Sequence, residues 1–123
     1  MKKAVNDIWE SIRTGDLERL RDLHLNSEKF SKWIDGDGGV VGYEETVASE
    51  LEFFGAIENF TYEVVGLRVD VIGPVAIATF LIPFEITMDD ATISGKERAT
   101  LVFAEKDGSW KIVHEHFSSA ENQ

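Results

Sequence analysis

The stretch DGSWKIVHEHFS, residues 107–118, is the most informative part of the sequence about the fold. Asp107 and Gly108 predict a tight two-residue hairpin turn, because both central residues of such a turn must tolerate positive φ. From Asn59 onward, β-branched and aromatic residues occur in runs that break at GP (73–74), MDDAT (88–92) and KDG (106–108). We therefore predict four antiparallel strands joined as a meander, with the last two strands paired directly.

The first half of the chain predicts three helices and one short strand. The first helix ends at Gly15, and Asp16 caps the second. A short strand in KFSKWID (29–35) stops at the turn-forming DGDGG (35–39), and the third helix covers residues 43–54 and ends at Gly55. The helical spacing of apolar residues supports these assignments, through Val5, Ile8, Trp9 and Ile12 in the first helix and Tyr43, Val47, Leu51 and Phe54 in the third.

The length and net charge of the chain limit the classes of function that it can have. The chain has 123 residues, which predicts a single domain over 1–123 without internal linkers. Its formal net charge of -11 would repel phosphate backbones and anionic lipids, so we expect neither nucleic acid nor a membrane as partner. The chain has no cysteine and no apolar run of signal-peptide or transmembrane length. These features predict a cytoplasmic protein.

The strand over residues 75–88 is apolar on both faces. One face would carry Val75, Ile77 and Leu81, and the other a longer series that includes Phe80, Ile82 and Phe84. We expect helices to cover the first face and a homodimer, formed through the outer face of the sheet, to cover the second. Pro83 cannot donate to a β-ladder, so a bulge or bend is predicted there.

This order of elements resembles the SnoaL-like (NTF2-like) superfamily over nearly the whole chain. The landmarks are TGDLERL (14–20), VVGYEET (40–46) and DGSWKIVHEHFS (107–118), the last of which looks like the closing strand of the SnoaL-like and DUF4440 groups. The resemblance implies an α+β, cone-shaped fold in which three N-terminal helices pack on a strongly curved, mostly antiparallel sheet. Because this fold hosts both enzymes and non-catalytic modules, it does not by itself define a function.

Two better-known branches can be compared position by position. In the ketosteroid isomerase branch, Asp35 falls at the position of the catalytic base, but Ile8 and Ala99 replace the two oxyanion-stabilising residues. Steroid isomerisation by the familiar mechanism is therefore not expected. In the association domain of calcium/calmodulin-dependent kinase II, arginines line the pocket. Their positions read Leu81, Leu101 and Phe117 here, so the resemblance implies an apolar pocket and a small hydrophobic ligand.

The final strand carries two histidines and a glutamate. Alternation predicts that Trp110, Ile112, His114 and His116 share one face, and that Val113, Glu115 and Phe117 share the other, which the resemblance directs to the pocket. The two imidazoles could share an ion, but zinc needs at least a third ligand. His24 is expected on the opposite side of the sheet. We therefore predict hydrogen-bonded structural histidines, no metal site and no cofactor.

Two carboxylates are candidate catalytic residues. Burial of Glu115 between apolar neighbours would raise its pKa and prepare it as a general acid or base. The alternative is a structural ion pair with Arg98 or Arg68, or a bond to a backbone donor. Asp35 is either a base or a turn-forming aspartate. The acidic run EETVASELE (44–52) is interpreted as a solvated helix face. The predicted ligand-binding residues are Trp33, Leu81, Leu101, Val113, Phe117 and Tyr62.

Three functions remain open at the level of sequence. The favoured one is the binding of a small apolar molecule in the cavity between helices and sheet, without turnover. The second is a proton-transfer enzyme of isomerase, cyclase or dehydratase type that uses Asp35 or Glu115. The third is a homo-oligomeric association module. The chain lacks a complete set of acid, base and oxyanion-stabilising residues, which places binding before catalysis.

Overall fold

The first two helices cover the start of the chain in a computed structural model that describes residues 1–34 and 38–120. Helix α1 (Lys2–Thr14) buries the predicted apolar face and ends at Gly15, whose φ of 74° is left-handed. Helix α2 (Leu17–Asp22) is capped by Asp16, whose side chain accepts a hydrogen bond from the backbone N–H of Arg19. Both predicted helix boundaries are confirmed.

Two short strands and a third helix follow. Strand β1 (Ser31–Trp33) is the predicted one, and it pairs with β2 (Val40–Val41), which was not predicted. Helix α3 (Tyr43–Gly55) continues through Gly55 and is capped by Ala56 in right-handed geometry, so Gly55 does not end it as a left-handed cap. Among the described residues, no helix is both long and apolar enough to cross a membrane.

The second half of the chain forms the sheet, in five strands rather than the predicted four. These are β3 (Asn59–Tyr62), β4 (Val65–Ile72), β5 (Val75–Met88), β6 (Ala91–Lys106) and β7 (Ser109–Ser119). Both β3 and β4 pair antiparallel with β5, the β5–β6–β7 meander continues the sheet, and β1 joins its edge parallel to β7. The result is a curved, unclosed seven-stranded sheet with helices on its inner face, which is the predicted α+β architecture.

The break between β3 and β4 lies opposite Pro83. The register between β5 and β6 runs through Pro83 without a shift, so the bulge predicted there is absent from that ladder. The carbonyl of Pro83 accepts a hydrogen bond from the backbone N–H of Glu63, so the missing N–H of the proline faces the same neighbour. Proline therefore coincides with the point where one partner strand ends and the next begins.

The two tight turns of the meander adopt left-handed backbone conformations. Asp107 and Gly108 have φ of 52° and 83°, as predicted for the last hairpin. Asp89 and Asp90, between β5 and β6, have φ of 52° and 64°. Aspartate tolerates this region better than most residues with a Cβ, and it does so in both turns.

The two faces of β5 are the reverse of the sequence prediction. Phe80 and Ile82 lie in the core beneath the helices and are only 5% and 2% exposed. The residues that face outward are half-buried ones such as Ile77 and Leu81. Alternation predicted correctly that the strand has two apolar faces, but it could not show which one meets the helices. An aspartate at Phe80 or Ile82 would therefore disrupt the core rather than an interface.

Candidate functional site

A cavity of about 570 Å³ lies between the helices and the inner face of the sheet. Its wall is mostly apolar and is built from all three helices, from β1 and from the strands of the meander. This volume falls in the range of small-molecule sites. Residues from α1 and the sheet that line it include Ile8, Trp9, Ile12, Phe60, Ile82, Leu101 and Phe117.

Half of the predicted ligand-binding residues line this cavity. Trp33, Leu101 and Phe117 lie in its wall, and Trp33 remains 47% exposed at the rim. Leu81 does not, because it lies on the outer face of β5, so its predicted pocket position is wrong. Tyr62 points instead toward α1, where its hydroxyl donates to Glu10 Oε2 at 2.6 Å.

Val113 also lies outside the cavity wall, because β7 contains a bulge. Val102 pairs with His114 and Phe103 with Ile112, which leaves Val113 without a place in the ladder. Ile112 therefore faces inward together with Glu115 and is fully buried. The prediction that Ile112 shares a face with the histidines is wrong, since uninterrupted alternation does not hold across a bulge.

Four charged or titratable side chains meet at the cavity, where Lys32, Glu50 and Glu115 line the wall and His24 contacts the two glutamates from outside it. Nε2 of His24 lies 2.9 Å from Oε2 of Glu115 and 3.1 Å from Oε1 of Glu50. Nζ of Lys32 lies 2.8 Å from Oε2 of Glu50 and 3.3 Å from Oε1 of Glu115. Glu115 is only 3% exposed and His24 only 4%. We call these four residues the buried quartet.

Backbone pairing explains why residues far apart in sequence meet here. Leu23 and Leu25 exchange backbone hydrogen bonds with Ile112 of β7, which holds His24 against that strand. Strand β1 runs parallel to β7, with Lys32 opposite Glu115. Glu50 reaches the same point from α3. Three separate elements therefore converge on one carboxylate of the closing strand.

The hydrogen bonds of His24 define a single mobile proton. Nδ1 lies 2.7 Å from the carbonyl oxygen of Leu20, which can only accept, so Nδ1 carries a hydrogen in every state. Nε2 then either carries a second hydrogen and donates to the carboxylates, or accepts one from a protonated Glu115. The proton between Nε2 and Oε2 of Glu115 can thus reside on either residue.

Interactions within the quartet give its two carboxyl groups very different pKa values. Burial, together with the neighbouring charge of Glu50, raises the pKa of Glu115 to about 7. Burial also opposes ionisation of Glu50, but its hydrogen bonds to His24 and Glu115 lower its pKa to about 2. Two like-charged groups that share one hydrogen-bond donor cannot both ionise freely, and Glu115, the more deeply buried, retains its proton longer.

The pKa values of the two basic residues, His24 and Lys32, are both raised. Burial alone would lower the pKa of His24, but its hydrogen bonds to Glu115 and Glu50 outweigh burial and raise the pKa to about 10. Burial likewise opposes the charge of Lys32, and the charges of Glu50 and Glu115 outweigh it and raise the pKa of that ammonium group. Near neutral pH, the quartet therefore holds two cations, one carboxylate and one carboxyl group that titrates.

The quartet contains the residue types of a metal site. One ligand atom each from His24, Glu50 and Glu115 lies within 4.8 Å of the others, and His24 is oriented by a backbone carbonyl as metal-binding histidines usually are. However, the ammonium group of Lys32 contacts both carboxylates. It supplies the positive charge that a divalent ion would supply, so the residues present fit an ion-paired cluster better than a metal centre.

The remaining candidate residues lie elsewhere. His114 and His116 lie on the outer side of β7, away from His24, as expected, and Nδ1 of His114 is 2.7 Å from the hydroxyl oxygen of Ser31. The ring of His116 contacts Trp33. Asp35, the other predicted catalytic carboxylate, lies outside the described residues.

The partners of Glu115 differ from the predicted ones. Arg98 donates to the backbone carbonyl of Ser119, and Arg68 pairs with Asp70, so neither reaches Glu115. Of the buried quartet, only Glu115 was predicted from the sequence as a functional residue, whereas His24, Lys32 and Glu50 were not.

The acidic run of α3 is not solvated along its whole length, contrary to the prediction. Its other glutamates, Glu44, Glu45 and Glu52, are exposed as predicted, whereas the side chain of Glu50 is only 11% exposed. Helical spacing offered a signal, because Glu50 follows the buried Thr46 by four residues and therefore shares its face.

A strongly curved sheet that carries helices on its inner face and encloses a cavity defines the class of cone-shaped NTF2-like proteins. The chain belongs to the SnoaL-like domain family, whose model matches residues 1–121. The predicted superfamily is therefore confirmed. No curated protein sequence matches the chain significantly.

Solved structures share the whole fold at low sequence identity. A candidate dehydratase of the NTF2-like family from Streptomyces avermitilis is 21% identical, with a TM-score of 0.86 over 97% of this chain and 92% of that chain. An NTF2-like superfamily protein from Salmonella enterica is 22% identical, with a TM-score of 0.82 over 95% and 86%. The Chlamydomonas reinhardtii CaMKII hub homology domain is 16% identical, with a TM-score of 0.75 over 96% and 94%. At these identities, the likeness shows the fold alone.

Proposed function

We propose that this protein binds a small, largely apolar molecule in its cavity and moves a proton on it, as an isomerase or dehydratase does. The observation that carries the proposal is the buried Glu115 in the wall of an otherwise mostly apolar cavity, with His24 hydrogen-bonded to it from outside that wall. Burying four ionisable groups costs free energy, and a cavity that only held an apolar ligand would need none of them. Clusters of this kind, with pKa values pushed apart, are typical of acid–base sites.

The protonation of Glu115 suits general base catalysis. A base is most effective when its pKa is close to the working pH, and the pKa of Glu115 is raised to about 7. The ionised carboxylate would take a proton from a C–H bond next to a carbonyl group of the ligand. The electron pair of that bond would move to the carbonyl oxygen, and return of the proton to another carbon, or loss of a neighbouring hydroxyl group as water, would complete the reaction.

Lys32 is the group suited to stabilise the developing oxyanion. Its ammonium nitrogen lies 3.3 Å from Oε1 of Glu115 and 5.6 Å from the centre of the Phe117 ring, and Lys32 also lines the cavity. A ligand carbonyl beside Lys32 would therefore have its α-carbon close to Glu115. A fixed cation at the site of charge development contributes most in a cavity that excludes water. Lys32 would thus supply the oxyanion stabilisation that Ile8 and Ala99 cannot supply.

The names of two structural relatives agree with this class of reaction. The Streptomyces avermitilis protein is described as a candidate dehydratase, and a protein from Novosphingobium aromaticivorans with the same fold is described as a candidate scytalone dehydratase. Both are described as enzymes that remove water, a step that requires a positioned base and acid.

A second candidate is binding without turnover, the function favoured by the sequence. One observation supports it. Oε1 of Glu115 is inaccessible to solvent, and no described residue gives it a hydrogen bond of normal geometry. A ligand would therefore contact the more exposed Lys32 and Glu50 before it reached Glu115, unless the carboxylate turned toward the cavity.

Deuterium exchange separates the two candidates without knowledge of the natural substrate. Short cyclic and acyclic ketones are incubated with the protein in D2O, and NMR follows deuterium incorporation next to the carbonyl group. Turnover predicts exchange above the protein-free rate that Glu115→Gln abolishes and the exposed control Glu52→Gln retains. Ketones that bind, as judged by tryptophan fluorescence, but exchange only at the protein-free rate would reject the catalytic proposal in favour of binding.

We also propose a homodimer through the outer face of the sheet. On this face Val65 pairs with Leu81 and Ile77 pairs with Val102, with Thr79 between the two pairs on β5, and we call these four apolar residues the outer apolar patch. They are half-buried or exposed and lie on the face opposite the helices. Apolar residues grouped on the outer face of a sheet are typical of protein interfaces. The hub homology domain among the structural relatives supports association through this fold.

A further inference from the structure

We infer that the ligand is an elongated, neutral molecule, with one carbonyl-type oxygen at Lys32 and an apolar chain that runs along β5 and β6 toward Ile93. This inference rests on the proposed binding function and adds the shape and polarity of the ligand. It follows from three features of the cavity, which are its length, its exposed apolar rim and the charge balance at its polar end.

The cavity extends along the inner face of β6. Ile93, Glu97 and Leu101 all line it and are spaced four residues apart on that strand. Leu101 pairs with Glu115 and marks the end at the buried quartet, whereas Ile93 pairs with Ile86 close to the opposite end of the strand. Eight strand residues span about 26 Å along the chain. The site is therefore a trough rather than a rounded pocket.

The rim of the trough is apolar and exposed. Four large apolar side chains in its wall remain open to solvent, namely Trp33 at 47%, Ile34 at 42%, Phe53 at 48% and Ile93 at 57% exposed. Trp33 and Ile34 are consecutive, whereas Phe53 belongs to α3 and Ile93 to β6, so three separate segments of the chain contribute to the rim. Exposed apolar residues that surround a cavity are typical of surfaces that a ligand covers. A compact ligand at the quartet would not reach Ile93.

The balance of charge at the quartet favours a neutral polar group. Lys32 already contacts the carboxylates of Glu50 and Glu115. The ammonium group of Lys32 and the imidazolium of His24 balance Glu50 and Glu115 when Glu115 is ionised, which is the state in which it would act as a base. A ligand carboxylate would add a negative charge without a partner and would keep Glu115 protonated. A carbonyl oxygen can accept a hydrogen bond from Lys32 without adding charge.

A homologous series of 2-alkanones tests both parts of the inference. Affinity, measured by tryptophan fluorescence and calorimetry, should rise about threefold to fourfold with each added methylene until the trough is filled. Ile93→Asp should weaken the long members at least tenfold and leave the short ones unchanged. Ile72→Asp is the matched control, because Ile72 is 64% exposed and lies outside the cavity wall.

Three outcomes would overturn the inference. Affinity that does not depend on chain length would reject the elongated ligand, and an equal effect of Ile93→Asp on short and long ketones would reject the direction of the chain. Tighter binding of fatty acids than of ketones of equal length would reject the neutral polar group. Deuterium exchange with short ketones reports on the proposed function separately, so either proposal can fail while the other holds.

Discussion

Nε2 of His24 lies 2.9 Å from Oε2 of Glu115, although 91 positions separate the two residues in the chain. Nδ1 of the same ring is fixed by the carbonyl of Leu20, so only Nε2 faces the carboxylates of Glu115 and Glu50. A histidine held in this way exchanges a single proton with its partner carboxylate.

The first prediction concerns the pH dependence of stability. The folded-state pKa of Glu115 is raised from its usual 4.5 to about 7, so the folded protein holds a proton that the unfolded chain releases. The free energy of unfolding should therefore fall as pH rises from about 4.5 to about 7, by up to the order of 3 kcal/mol. Urea unfolding of wild type and Glu115→Gln across this range checks it, and only the wild type should show the fall.

Above pH 7, the free energy of unfolding should fall further in both the wild type and Glu115→Gln. This further fall belongs to His24, whose pKa is raised from 6.5 to about 10, and Glu50 still holds this histidine in the variant. If wild type and Glu115→Gln had parallel profiles between pH 4.5 and 7, Glu115 would not be a titrating buried carboxyl group.

The second prediction contrasts the two glutamates at about pH 5.5, between their two pKa values. Glu115 is mostly protonated there, so Glu115→Gln replaces one neutral group with another and should change stability little. Glu50, with a pKa lowered to about 2, is ionised and pairs with both His24 and Lys32. Glu50→Gln should cost on the order of 3 kcal/mol, because two cations lose their ionised partner.

Part of that cost should be recovered, since Glu115 ionises more readily once Glu50 is neutral. Urea midpoints with matched unfolding slopes measure both variants. Equal losses would mean that the two carboxylates share the charge evenly, contrary to the assignment made for them.

The third prediction concerns metal binding. In the wild type, the ammonium group of Lys32 balances the two carboxylates, so zinc should not bind stoichiometrically and chelators should not alter stability. Lys32→Met removes that cation and leaves His24, Glu50 and Glu115 close enough to share an ion. Zinc should then raise the melting temperature of Lys32→Met, and EDTA should reverse the effect.

The exposed residue Lys29 provides the control Lys29→Met, which should behave like the wild type. Stoichiometric zinc in the wild-type protein, detected by elemental analysis after dialysis, would show that the quartet is a metal centre in its native form.

The fourth prediction tests the dimer. Ile77 and Val102 are paired neighbours in the outer apolar patch. Ile77→Asp should give a folded monomer, because the substitution places a charge in the interface but not in the core. Light scattering of the wild type and the variant at micromolar concentration measures this. A wild-type monomer would reject the dimer, and an unfolded Ile77→Asp would show that Ile77 supports the fold of one chain.

Local patterns in the sequence predicted most of the fold. Helix ends at Gly15 and the turn at Asp107 and Gly108 depend on backbone preferences of single residues, which are visible without a structure. The split between β3 and β4 was missed, because it depends on which strand edge the missing N–H of Pro83 faces. The orientation of β5 was also missed, since two apolar faces look alike until the position of the helices is known.

The candidate site was less predictable, because it is assembled from contacts distant in sequence. Glu115 could be predicted from the sequence, as a carboxylate between apolar neighbours. Its partners could not be predicted, because His24 and Lys32 reach Glu115 only through pairing of their backbone segments with β7. Glu50 was hidden in an acidic run whose other members face solvent. Asp35 stays a prediction, as do the single domain and the cytoplasmic location.

The bulge at Val113 affects how this chain should be aligned with its relatives. Trp110 and Ile112 on one side of it, and Glu115 and Phe117 on the other, face inward only because one residue is left out of the ladder. A relative with a regular strand would present the same inward positions with one residue fewer. An alignment without a gap at Val113 would then equate Glu115 with an outward-facing residue, and searches for the buried carboxylate across the family would overlook it.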